Sequence, residues 1–254
     1  MGNSKTKMPR ENGIATIYDK NRFCLMTVGR SGSTSLMQAL RAFQDIATPS
    51  KDLDCADDEL LHPDHMAGYA REYERLTASP IRTPNQLLRA FFRFNAGFAY
   101  AGFKSMPNRH YRFEEFVHQS GLTFITLIRA DIHSTVASFL TAIQTGCWRR
   151  DGGEQPLVWR FDRARHGPLA TSNLAYVLES QRLISGIPNA IHLSYEELCM
   201  ANFHSFELDR FFGRHIALAN PQPSTHASAY LSNWDEYLEF IQQIRKRFNN
   251  GLVA

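Results

Sequence analysis

The sequence predicts a three-layer α/β fold, in which a central, mostly parallel sheet is flanked by helices. Three short apolar segments have the length and the β-branched content of buried strands, and a segment with helical spacing follows each of them. Strands that alternate with helices form parallel sheets that are covered on both faces. Ligands bind to such sheets at the carboxyl ends of the strands, so the turns after the strands are the expected sites.

The elements can be placed in order along the chain. The expected strands are residues 23–28, 98–103, 123–128 and 190–193. Helical spacing follows the first strand at Leu36, Met37, Leu40 and Phe43, and it follows the third at Ile132, Val136, Phe139, Leu140 and Ile143. Further helices are expected around 86–95 and 110–119, in the SYEEL segment 194–198, and near the C-terminus around Tyr237, Phe240 and Ile241.

Length and charge limit the architecture and the partners. The 254 residues, 43% hydrophobic and 21% charged, suit a single globular domain at 13–254 behind a flexible arm at 1–12. The chain has 28 lysines and arginines against 25 acidic residues, a net charge of +3. A nucleic-acid binder usually carries a clustered basic face and a larger charge, so no nucleic-acid partner is expected.

Membrane and metal signals are weak. No run approaches the ~20 apolar residues of a membrane span, and the four cysteines are far apart, so a cytoplasmic protein without disulfides is expected. No metal site is expected, because the HPDH segment with His62 and His65 has no third ligand nearby. The first residues, MGNSKTK, match the N-myristoylation pattern at Gly2, which predicts membrane association in a eukaryotic source only.

The turn after the first strand, GRSGSTS at 29–35, has the composition of a phosphate site. Glycines allow a tight turn, backbone N–H groups at the helix start point at the anion, and hydroxyls add donors. Arg30 adds a permanent charge, which a simple helix cap would not require. The turn lacks the Walker A lysine, which argues against ATP or GTP. The residues predicted to bind the phosphate are Arg30, Ser31, Gly32, Ser33, Thr34 and Ser35.

The segment FCLMTVGRSGSTSLMQAL resembles the 5′-phosphosulfate loop of sulfotransferases that use 3′-phosphoadenosine 5′-phosphosulfate (PAPS). The likeness is nearest to the bacterial carbohydrate branch, which includes trehalose sulfotransferase. LIRAD at 127–131 with VAS at 136–138 resembles the family's 3′-phosphate motif. The resemblance implies that Arg129 and Ser138 bind the 3′-phosphate, and Ser134 is the alternative to Ser138. QTGCW at 144–148 and HLSYEEL at 192–198 resemble later elements of the family, the second of them interpreted as structural.

The resemblance implies a P-loop-like fold and an activity. A sulfuryl group would pass from PAPS to a hydroxyl of a carbohydrate, glycolipid or other small metabolite, with adenosine 3′,5′-bisphosphate (PAP) as product and no metal. Catalysis would rest on positioning and charge stabilisation. Arg30 would balance the charge on the leaving group, and Lys104, at the end of a predicted strand, would reach the same region.

The general base departs from the family pattern. The trehalose-type branch has a glutamate before a proline after the first helix, whereas this chain has Thr48 before Pro49. Heparan-type relatives carry a Lys-Glu pair in this region, and Lys51-Asp52 resembles it, so Asp52 is the expected base. The same segment contains four further acidic residues, most of which are interpreted as a solvated loop: Asp54, Asp57, Asp58 and Glu59. His62 and His65 are two further candidates for the base.

Two regions and two rival functions stay open. Residues 149–168, with Trp159 and several arginines, suit an acceptor-side lid, a polar surface loop or a contact in a homodimer. The main rival function is a P-loop-type kinase or nucleotide hydrolase, which the missing Walker lysine disfavours. The other is a catalytically silent nucleotide-binding protein, which Thr48 at the expected base position favours.

Overall fold

The predicted α/β architecture is confirmed by a computed structural model, which describes residues 21–49, 58–110, 112–146, 158–200, 204–217 and 229–251. A five-stranded parallel sheet is covered by helices on both faces. The strands are β1 (Arg22–Thr27), β2 (Ile46–Ala47), β3 (Tyr100–Ser105), β4 (Thr123–Ile128) and β5 (Ile191–Ser194). The helices are α1 (Ser33–Arg41), α2 (Pro63–Thr77), α3 (Pro84–Phe94), α4 (Phe113–Gln119), α5 (Ile132–Thr145), α6 (Arg163–Ser185), α7 (Tyr195–Leu198), α8 (Phe206–Phe212) and α9 (Trp234–Asn249), with a 3-10 turn at Pro107–Arg109.

Strand β1 lies at the centre of the sheet, whose order is β2-β3-β1-β4-β5. Met26 of β1 is in register with Ser105 of β3, and Thr27 is in register with Leu127 of β4. Strands β2 and β3 therefore lie on one side of β1, and β4 and β5 lie on the other. The carboxyl end of β1 is thus a switch point of the sheet. Such a point leaves a crevice for a ligand. The predicted phosphate turn begins there.

Alternating residues of β1 divide the core between the two faces of the sheet, as expected for a strand buried on both sides. Phe23 and Leu25 face α1 and α8, where they pack among the buried residues of one cluster. Cys24 and Met26 face the opposite layer, which contains α3, α5, α6 and α9. Because α1 and α5 cover opposite faces, the turns before them meet at the carboxyl edge of the sheet.

Helix α2 was not predicted, and it changes the interpretation of HPDH. His62 is its N-cap, with Nδ1 accepting a hydrogen bond from the Asp64 N–H at 3.2 Å, and Pro63 occupies the first turn. Proline is favoured there because the first N–H groups of a helix have no acceptor within it. HPDH is therefore a helix start and not a loop. Helix α2 buries Tyr69 and Tyr73 against the core.

Helix α6 includes the last part of the segment proposed as a lid. The helix begins at Arg163, after the Asp162 carboxylate accepts hydrogen bonds from the N–H groups of Ala164 and Arg165 at 2.8 and 3.0 Å. The lid or loop interpretation is therefore wrong for residues 163–168, and Gly167 lets α6 approach Phe240, since a Cβ there would lie 3.2 Å from the ring. Residues 149–157 lie outside the described residues. None of the described helices has the length and apolar content needed to cross a membrane.

Candidate functional site

The turn after β1 is held in a tight, left-handed conformation. Arg30 and Gly32 have φ angles of 68° and 80°, a region that glycine adopts freely and arginine rarely. The hydroxyls of Thr27 and Ser31 are hydrogen-bonded to each other, and Ser31 also donates to the Val28 carbonyl at 2.6 Å. Ser31 is fully buried, so its side chain fixes the turn from inside.

Helix α1 starts directly at this turn. Its N-cap is Gly32, which has no side chain to satisfy the first N–H groups, and its first turn contains no acidic residue. The positive end of the helix dipole therefore meets no carboxylate from the first turn of α1 itself. Ser33 is buried, Thr34 is half-buried and Ser35 is exposed. Backbone amides and hydroxyls in this arrangement suit an anion.

Arg30 reaches across to α5. Its Nε donates a hydrogen bond to the Ser138 hydroxyl at 2.8 Å. The turn itself lies against the same helix, because a Cβ on Gly29 would come within 2.7 Å of the Phe139 ring. The sequence predicted that Ser138 acts together with Arg129, whereas in the structure the Ser138 hydroxyl accepts a hydrogen bond from Arg30. Helix α5 thus connects the phosphate turn with the end of β4.

Arg129, directly after β4, is a buried cation with an unused donor. Its side chain is held by Tyr195, whose ring centroid lies 4.6 Å from the guanidinium carbon. The residue is only 8% exposed, and within the described part of the chain its Nε has no hydrogen-bond acceptor. A buried donor without a partner costs about 1–3 kcal/mol, more when charged, and a bound anion would remove that cost.

Ser134 remains a competitor for Ser138 at this second position. It lies in the first turn of α5 with its hydroxyl buried and lacking an acceptor or donor among the described residues. Its backbone N–H donates to the Asp131 carboxylate at 2.9 Å. Partial burial alone would raise the pKa of Asp131, but the bond from the Ser134 N–H and the nearby Arg129 charge hold that pKa below its usual value.

Tyr195 joins the two positions. A Cβ on Gly32 would lie 2.6 Å from the Tyr195 ring, so the phosphate turn contacts the ring that also packs on Arg129. Helix α7 holds this tyrosine, and its Glu196 carboxylate accepts from the N–H groups of Ala130 and Asp131 at 3.2 and 3.3 Å. The SYEEL segment is interpreted as structural from its sequence. An aromatic residue at the carboxyl end of a predicted strand was the one signal that could have indicated its position.

The carboxyl end of β3 is built differently, from charges that satisfy each other. Lys104 is in register with Leu25, which places it on the α1 face, and it is 4% exposed. Its backbone N–H donates to the Asp58 carbonyl at 3.0 Å, and it forms a parallel bridge with Glu59. Lys104 is thus near the carboxyl edge of the sheet, one residue before β3 ends at Ser105.

Two acidic residues that the sequence assigned to a solvated loop are buried. Asp58 forms an ion pair with Arg41, and Glu59 forms one with Arg109 at 2.7 Å. Both carboxylates have almost no exposed surface, so the solvated-loop interpretation is wrong for these two residues. The other acidic candidates of the segment lie outside the described residues: Asp52, Asp54 and Asp57.

Several other candidates are held in structural contacts. Arg41 Nε donates a hydrogen bond to the Thr48 hydroxyl at 3.4 Å. The Trp159 indole N–H donates to the Thr141 hydroxyl at 2.9 Å, which ties this side chain to α5. The rings of His62 and His65 lie 4.8 Å apart at the start of α2.

Comparison with known proteins returned little. No protein-family model matches the sequence, and no curated protein matches it. One similar solved structure is a sulfotransferase from Alicyclobacillus acidocaldarius, with 11% sequence identity and a TM-score of 0.40 over 93% of this chain and 96% of that one. A TM-score of this size carries no argument.

Proposed function

We propose that the chain binds PAPS and transfers its sulfuryl group to a hydroxyl of a carbohydrate, glycolipid or other small metabolite. The observation that carries the proposal is the juxtaposition around Tyr195, whose ring contacts the phosphate turn on one side and the buried Arg129 on the other. This arrangement supplies two separate anion positions to one ligand. PAPS carries an anionic group at each end of its ribose.

The phosphate turn would take the 5′-phosphosulfate. The amides at the start of α1, the hydroxyls of Ser33, Thr34 and Ser35 and the Arg30 guanidinium are donors of the kind that this group requires. Each charge-assisted hydrogen bond contributes about 1.5–3 kcal/mol, so three or four hold the group firmly. Arg30, oriented by Ser138, would stabilise the charge that builds up as PAP leaves.

Arg129 would take the 3′-phosphate. Its Nε is a buried, charged donor without an acceptor among the described residues, which is the property expected of a side chain that binds an anion. Ser134, also buried with an unused hydroxyl, is the nearest hydroxyl along the chain that suits the same phosphate. With a 3′-phosphate bound, the charge of Arg129 is compensated inside the protein.

Sulfuryl transfer needs one further group from this chain. As the acceptor oxygen bonds to sulfur, the bond from sulfur to the phosphate oxygen breaks and a base takes the hydroxyl proton. Asp52 is the proposed base, on the sequence resemblance alone, and Lys104 is proposed to assist the leaving group from the end of β3. The proposed enzyme acts in the cytoplasm without a metal, and a homodimer is compatible with it.

A ligand-binding comparison tests the nucleotide. PAP should raise the melting temperature, whereas ATP with Mg²⁺ should have a smaller effect, because the turn lacks a Walker lysine. At ~100 times its Kd, PAP should stabilise the fold by about 2.7 kcal/mol. No stabilisation by PAP contradicts the proposal. Turnover of magnesium ATP would instead support the kinase or hydrolase.

A transfer assay tests the chemistry. PAPS labelled in its sulfuryl group, incubated with the protein and an extract of small metabolites and glycolipids, should give a labelled product. The variant Asp52→Asn should bind PAP normally and lose roughly 10²–10⁴ in turnover. Full turnover in that variant would place the base elsewhere. PAP binding without transfer to any acceptor would support a catalytically silent nucleotide-binding protein.

A further inference from the structure

Three metal-ligating side chains meet around α8, far from the phosphate turn in sequence and absent from the sequence-based expectations. His204 precedes the helix, Asp209 lies within it and His215 follows it. One ligand atom from each residue lies within 4.8 Å of the others. Asp209 Oδ2 is 3.0 Å from His215 Nδ1 and 3.1 Å from His204 Nε2.

These distances are close to those of a metal centre. Zinc binds imidazole nitrogens and carboxylate oxygens at about 2.0–2.1 Å in a tetrahedral arrangement, so its ligand atoms are about 3.3 Å apart. The pairs that include Asp209 differ from this by only a few tenths of an ångström. Two neutral imidazoles and one carboxylate, with water as a fourth ligand, form a set that zinc and related divalent transition metals favour.

The surrounding backbone orients the central carboxylate. Asp209 Oδ1 accepts a hydrogen bond from the Ile216 N–H at 2.9 Å, which leaves Oδ2 facing the two histidines. The carboxylate is therefore oriented before any metal binds. Hydrogen bonds of this kind to ligands increase metal affinity.

The two histidines have the accessibility that metal exchange requires. Both are exposed, and their rings stack with centroids 5.5 Å apart, so they approach the carboxylate from one side. A metal binds an unprotonated ring nitrogen, so its affinity should fall as the pH falls and the imidazoles take up protons.

The location indicates what an ion would do there. Helix α8 covers one face of the sheet, where the Phe212 ring lies 5.3 Å from Phe23 and 5.0 Å from Tyr100. Ligands before, within and after α8 would close the chain from 204 to 215 around an ion and stabilise this helix.

We propose that His204, Asp209 and His215 form a surface site for zinc or a related divalent transition metal, which stabilises α8 by linking the residues before and after it. The site is separate from the phosphate turn. It does not depend on the proposed sulfuryl transfer.

The test uses the full chain without a histidine tag. Calorimetric titration with zinc sulfate should show binding that His204→Gln and His215→Gln each weaken by at least about 10-fold, since even the loss of a residue that only hydrogen-bonds to a metal ligand costs that much. His118→Gln, which alters an exposed histidine of α4, is the matched control and should bind zinc like the original chain. Zinc should raise the Tm of the original chain and of the control more than that of the two variants.

Cobalt(II) provides a second readout that a structural effect of the substitutions would not imitate. Its visible absorption should show bands of a four- or five-coordinate site in the original chain and lose them in both variants, while their far-ultraviolet circular dichroism stays unchanged. Absence of zinc binding, or binding and cobalt spectra that neither substitution alters, would overturn the proposal. PAP binding should be the same with and without zinc in every variant.

Discussion

The β3 side and the β4 side of the carboxyl edge both bury arginines or acidic groups, but they differ in what those groups contact. Next to β3, Glu59 and Arg109 pair at 2.7 Å, and Asp58 pairs with Arg41. After β4, Arg129 packs on an aromatic ring, and its Nε has no acceptor among the described residues. Charge is compensated within the protein on the first side. On the second side, one charged donor is left without an acceptor among the described residues.

The difference separates stability from binding. A buried ion pair is costly to break, because the remaining charge is left without a partner or water. A buried, charged donor without an acceptor gains a hydrogen bond when an anion reaches it. Substitutions on the β3 side should therefore change the free energy of unfolding, and substitutions on the β4 side should change ligand affinity.

The largest expected effect comes from breaking the pair on the β3 side. Arg109→Met should leave Glu59 buried and unpaired and lower the free energy of unfolding by about 3–5 kcal/mol, measured by urea denaturation. Arg182→Met is the control, because it breaks an exposed arginine–glutamate pair of α6 and should leave stability nearly unchanged. Equal effects of the two substitutions would show that Glu59 is accessible to water.

His110 should make the β3 side sensitive to acid. Burial lowers its pKa to about 4, while its ring stacks on Phe116 and hydrogen-bonds to the Ser105 hydroxyl at 2.9 Å. The unfolded chain takes up the proton at a pKa of about 6.5, so stability is complete above that pH. It should fall by about 3 kcal/mol as the pH drops from 6.5 to 4. The measurement is urea denaturation across this range, and His110→Gln should flatten the profile relative to the original chain.

On the β4 side, Arg129→Met should weaken PAP binding by roughly 10- to 100-fold, the loss of one charge-assisted interaction of about 1.5–3 kcal/mol. The substitution also removes the attraction between Arg129 and the nearby Asp131, so ligand affinity and not stability is the readout. Calorimetric titration measures the affinity, with adenosine 5′-phosphosulfate, which lacks the 3′-phosphate, as the control ligand. Equal losses for both ligands would contradict the assignment of Arg129 to the 3′-phosphate.

The smallest expected effect is that of the ring between the two anion positions. Tyr195→Leu removes the cation–π contact with Arg129, which is worth about 0.5–1 kcal/mol, and should weaken PAP binding about two- to five-fold. Tyr195→Phe keeps the ring and should retain most of the affinity in the same titration. A loss in the phenylalanine variant as large as in the leucine variant would show that the hydroxyl matters and the ring does not.

Local patterns predicted four of the five described strands. The β4 strand, Thr123–Ile128, has the predicted bounds, because a β-branched apolar run of this length is recognisable without its neighbours, whereas β3 lies two residues later than predicted. Strand β2 and helices α2, α6 and α8 were not predicted. The start of α6 depends on the Asp162 cap and on close packing of Gly167 on Phe240, and glycine and proline there resemble a loop when that contact is unknown.

The sequence alone determined four of the described strands, the helices that follow β1 and β4, and the glycine- and serine-rich turn at the carboxyl end of the first strand. These depend on periodicity and on turn chemistry, which are local properties of the chain. Only the tertiary structure decided that Ser138 meets Arg30, that Tyr195 joins Gly32 to Arg129, and that Glu59 is buried beside Arg109. Each of these contacts joins elements distant in sequence. Their partners are chosen by how helices pack on the sheet, because packing sets which side chains are removed from water together.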